Sequence, residues 1–131
     1  MKNMSYYFAK TLNSTFDEAI ERVTAALAAE GFGVLSDIDV KATLKKKIDV
    51  DFRNYRILGA CNPHYAHKAL SAEDKIGTML PCSITVQEHT PGVVEVAAID
   101  PIASMMAVKN DALAPIAIEV QAKLKRVIDS L

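Results

Sequence analysis

The stretch from Cys82 to Ile99 constrains the fold most. Residues 82–88 and 93–99 each alternate apolar and polar side chains, and His89, Thr90, Pro91 and Gly92 between them are turn formers. Two period-two runs joined by a short turn make a β-hairpin. A hairpin commits the chain to an antiparallel pairing. The remaining elements must then be arranged around a sheet that is not built from repeated parallel crossovers.

Upstream, residues 4–10 (Met4, Tyr6, Tyr7, Phe8) read as a first strand. Thr15 and Glu18 form a capping box, and Phe16, Ile20, Val23 and Leu27 recur at helical spacing before Gly31 supplies a left-handed stop. Residues 32–38 form a second strand. Asp39 caps a short helix carrying Val40, Leu44 and Ile48 on one side and Lys41, Lys45, Lys46 and Lys47 on the other. Residues 55–61 are a third strand. Asn62 as N-cap and Pro63 as first helical residue start another short helix over 63–72, with Ala66, Ala69 and Leu70 inward. The last helix spans 111–130. Its stripe of Leu113, Ala117, Val120, Leu124, Val127 and Leu131 requires Pro115 to lie in the first turn. The expected fold is α+β in one domain over 1–131: an antiparallel-rich sheet of about five strands, two long helices packed on one face, and two short helices.

Composition narrows the function classes. Fifteen basic against 16 acidic residues leave no basic excess for nucleic acid or a membrane surface. No run approaches a membrane span and the first residues lack a signal-peptide core, so a cytoplasmic location is expected. In a reducing compartment the two cysteines are expected to be free thiols. No P-loop, G-x-G-x-x-G or G-x-S-x-G is present.

Both cysteines lie where an apolar run meets a proline, in Cys61-Asn62-Pro63 and Leu80-Pro81-Cys82. Alternation puts Ile57, Gly59 and Cys61 on one face of their strand, and Cys82, Ile84 and Val86 on one face of theirs. Hairpin register sets Cys82 near Asp100, and an antiparallel 55–61 strand brings Cys61 to the same end of the sheet. The candidate binding residues are therefore Cys61, Asn62, Pro63, Cys82, Asp100, Met105 and Met106. The methionines suit a flexible apolar pocket, a subunit interface or core packing.

Three readings of the thiols stay open. They are packing residues. They are a redox or sulfur-handling pair, with Cys61 favoured by the adjoining helix start and Cys82 resolving or gating. Or Cys61, His64, His67 and Cys82 hold a metal, since the two histidines stand one helical turn apart. The Asp37/Asp39 and Asp49/Asp51 pairs fit capping and turns better than hard-metal ligation. Lys45, Lys46 and Lys47 fit a solvated helix face better than a phosphate site.

Gly31-Phe32-Gly33-Val34, the run from Tyr55 to Pro63, Ala69-Leu70, Leu80-Pro81-Cys82 and Asp100-Pro101 together give a chain that resembles, over essentially its whole length, the family catalogued as domain of unknown function 302. The resemblance implies a small α+β fold, a bacterial or archaeal origin and a homodimer. It implies no catalytic residue and no cofactor. The expected function is a non-enzymatic module that binds a small ligand or a protein partner near the strand-end cluster, without cofactor, nucleic acid or membrane. The alternative is a thiol-dependent enzyme using Cys61 and Cys82.

Overall fold

A computed structural model describes residues 5–131. Five strands form one antiparallel sheet in the order β1-β5-β4-β3-β2: β1 Tyr7–Asn13, β2 Gly33–Asp39, β3 Tyr55–Cys61, β4 Cys82–Thr90 and β5 Val93–Ile99. The helices are α1 Phe16–Ala29, α2 Val40–Ile48, α3 Pro63–Ala72, the single turn α4 Pro101–Ser104, and α5 Leu113–Asp129, with a 3-10 segment at Asp74–Met79. The architecture is α+β, as expected, with α1 and α5 packed on the sheet.

Period-two alternation selects the covered face. Leu58 and Ala60 of β3, Cys82, Ile84 and Val86 of β4, and Val94, Val96 and Ala98 of β5 are buried against Ala19, Val23 and Leu27 of α1 and Val120, Leu124 and Val127 of α5. Thr15 caps α1 through a full capping box, accepting from the Glu18 backbone N–H at 3.1 Å. Gly31 follows with φ of 86°, a conformation that a Cβ disfavours. Pro115 is the third residue of α5, where its missing N–H costs no helical hydrogen bond. Lys10 of β1 donates to the carbonyls of Asp129 and Leu131, tying the end of α5 to the sheet.

Several expectations need correction. The first strand runs to Asn13 because its whole length pairs with β5, from Tyr7 opposite Ile99 to Asn13 opposite Val93; Met4 lies outside the described residues. The α2 helix buries nothing, and Ile48 is 64% exposed, because the helix sits beside β2 and β3 at the sheet edge. Among the described residues the short helical segments number four, α2, α3, α4 and the 3-10 turn, where two were expected. Leu70 is exposed rather than inward. Ile57 and Gly59 do share one face of β3, as alternation predicts, and it is the face opposite the buried Leu58 and Ala60. Gly59 is obligatory there: a Cβ would meet Ser36 Oγ at 2.2 Å and Pro81 Cγ at 2.7 Å.

Candidate functional site

The end of the sheet where β3 stops and β4 starts is roofed by α3 and α5. Ala60 is directly opposite Cys82, and extending the β4–β5 register from Ile84 opposite Ala98 puts Asp100 beside Cys82. Cys61, Cys82 and Asp100 therefore gather at one end. Cys61 lies one residue past the Ala60–Cys82 pair, so strict alternation would turn it to the opposite face. It nevertheless lines the same cavity as Cys82, at the last position of β3.

That cavity has a volume of about 240 Å³. Its floor is Ala60, Cys61, Asn62 and Cys82; one wall is Tyr65, Ala66, Ala69 and Leu70 of α3; the other is Ile116, Ala117 and Val120 of α5; Phe32, Leu35, Leu80, Pro81, Pro101 and Met105 close it. Small side chains on the facing helices, Ala66 and Ala69 against Ala117, leave the space open. Apart from Asn62 and Tyr65, the side chains that line it are hydrocarbon or sulfur, and no carboxylate or imidazole side chain is among them.

The remaining candidate residues divide. Asn62 is buried and holds the N-cap position of α3 as expected, but its side chain makes no capping hydrogen bond; its amide Nδ2 donates instead to the Glu30 carbonyl at 3.4 Å, at the end of α1. Pro63 starts α3 and lies on the polar side of Asn62, in a neighbouring cleft. The Asp100 carboxylate is occupied, accepting from the Ile102 N–H and from Gln121 Nε2, both at 3.0 Å. It serves as the cap of α4. Met105 lines the cavity, whereas Met106 is 79% exposed and lies in a surface groove with Ile102 and Ile118. His64 and His67 are exposed and do not line the cavity that holds the thiols. Among the described residues no three His, Cys, Asp or Glu side chains converge as a metal site would require.

The thiols differ in setting. Cys82 is buried, and burial, reinforced by the nearby Cys61, pushes its thiol up to about 11; it is protonated at neutral pH. Cys61 is half-buried, and neither cysteine is in a disulfide.

Beyond Asn62 and Tyr65, which line both spaces, the cavity abuts a polar cleft with Glu30, His64, Lys68 and Lys123. Arg126 donates to Glu30 from Nε and Nη2 at 3.2 and 3.0 Å, which holds the Glu30 carboxyl below its usual range. Lys123 is farther from that carboxylate, at 3.9 Å. The ammonium groups of Lys68 and Lys123 stand 5.6 and 6.0 Å from the Tyr65 ring centroid. None of Tyr65, Lys68 and Lys123 was singled out by the sequence. Tyr65 and Ala69, four residues apart on α3, carried a signal for the cavity wall; Lys123 joins only through the packing of α5.

The fold and this site define a small two-layer α+β domain with an apolar cavity at the end of its sheet. The model of the domain of unknown function DUF302 matches residues 8–131, and the chain belongs to that family. The crystal structure of the uncharacterized conserved protein DUF302 from Bacillus stearothermophilus is similar over 97% of this chain and 98% of that one, at 29% identity with a TM-score of 0.88. No curated protein matches.

Proposed function

We propose that the chain is a binding module for a small apolar ligand, held in the cavity between α3, α5 and the β3–β4 strand ends. One observation supports it above the others: an open cavity of about 240 Å³ with a nearly continuous apolar lining. An apolar pocket with few convergent polar groups is the usual form of a small-molecule site. The test uses N-phenyl-1-naphthylamine, a neutral apolar fluorophore. Its emission should rise on binding to the native protein and fail to rise with Ala66→Phe, which fills the space from a half-buried wall position. Binding unchanged in a folded Ala66→Phe protein would overturn the reading.

The module is proposed to work as a homodimer through the uncovered sheet face. That face carries Tyr7, Ile57, Ala97 and Ile99, with Ile38 49% exposed at its edge.

A second reading treats the thiols as chemistry, since Cys61 and Cys82 share the cavity. Cys61 would lead, because Cys82 holds its proton. Rapid stoichiometric alkylation of Cys61 in native protein would favour this reading; labelling that tracks global unfolding would oppose it.

A further inference from the structure

We infer that the ligand is an amphiphilic anion: an apolar chain ending in a carboxylate, with the chain in the cavity and the head between Lys68 and Lys123. The inference rests on the cavity reading and adds the chemistry of the head group. Three observations carry it. First, the cavity and the basic cleft are neighbours that share Asn62 and Tyr65, which puts the lysines next to the apolar space. Second, the cleft holds more positive than negative charge. Glu30 is its acid, and Arg126 already engages that carboxylate in two hydrogen bonds. Lys123 lies at the outer limit of an ion pair with it, and Lys68 has no ion pair among the described residues. Third, both ammonium groups stand around the Tyr65 ring, which borders the apolar space and the polar one alike. A neutral apolar ligand would leave that charge unused, and a cationic one would be repelled.

Nonanoate, a nine-carbon chain ending in a carboxylate, is a probe of this description. The lysines act only by charge and position, and no bond is made or broken.

The experiment is calorimetric titration of the full chain with nonanoate and with 1-nonanol at low salt. Nonanoate should bind about ten-fold tighter, as two partly exposed ion pairs provide, and the advantage should shrink at high salt. The double variant Lys68→Gln/Lys123→Gln should lose the preference while keeping its affinity for 1-nonanol, which also reports that it is folded. Equal affinity for the two compounds in the native protein, or a preference that survives the double variant, would overturn the anionic head while leaving the apolar cavity in place. Failure of both compounds to bind would overturn the anionic head and the cavity reading together.

Discussion

Two positions on the apolar stripe of α5 should respond differently to the same truncation. Leu124 is fully buried under the sheet, whereas Val120, 8% exposed, forms part of the cavity wall. Leu124→Ala removes three carbons from the core, a transfer loss of about 2.4 kcal/mol at about 0.8 kcal/mol per buried carbon. The enclosed hole left behind adds roughly 1–2 kcal/mol, for a total of about 4 kcal/mol. Val120→Ala removes two carbons, about 1.6 kcal/mol by the same measure. It opens onto space that already exists, so the cavity grows without a new enclosed void and little is added. Urea denaturation of both variants, with the slope unchanged, measures the two losses on one scale. The expected result is a Leu124→Ala loss about twice that of Val120→Ala or more. Equal losses, or a larger loss at Val120, would mean that residue 120 is ordinary core and that the α3–α5 space closes in solution.

Other outcomes follow from the same geometry. Cys82 holds its proton to about pH 11 in the folded state, against 9.0 for an ordinary thiol. The stability it contributes is complete below pH 9 and is lost as pH rises toward 11, on the order of 2 kcal/mol. Urea midpoints between pH 8 and 11 should therefore fall more steeply for the native protein than for Cys82→Ala, and parallel curves would contradict the assignment. Gly31→Ala meets both a positive φ and Asn62 Nδ2 at 3.0 Å. It should cost about 1–2 kcal/mol, with part of the loss recovered when Asn62→Ala removes the obstacle; full additivity in denaturation measurements would show that the contact does not matter. Light scattering should give the mass of two chains for the native protein and of one for Ile57→Glu; a monomeric native protein would exclude the proposed use of the open sheet face.

Where local chemistry decides a feature, the sequence made it legible. The Thr15–Glu18 capping box, the 82–99 hairpin and the α5 stripe each depend on residues close in the chain, and each is present. The end of β1 was hidden because only Leu12 turns inward there, while Thr11 and Asn13 are exposed, so the run has no apolar pattern. For α2 the opposite holds. Its apolar side looks like a core face, but the sheet edge offers it no layer to pack on. The 3-10 segment at Asp74–Met79 is too short to show a period. At the site, the meeting of Cys61, Cys82 and Asp100 could be read from register. That Asp100 is spent as a cap and Asn62 turns toward α1 could not, since both depend on contacts between distant elements. The cavity was hidden for a related reason: Ala66, Ala69 and Ala117 equally describe two helices in close contact and two helices holding a space between them.

The most direct measurement is a crystal structure of the protein with 9-bromononanoate, read at the bromine absorption edge. The account predicts one strong anomalous peak inside the cavity, among Ala66, Ala69, Met105 and Val120, with the carboxylate density between Lys68 and Lys123. Bromine only on the outer surface or between neighbouring molecules, with the cavity unoccupied or collapsed, would contradict it.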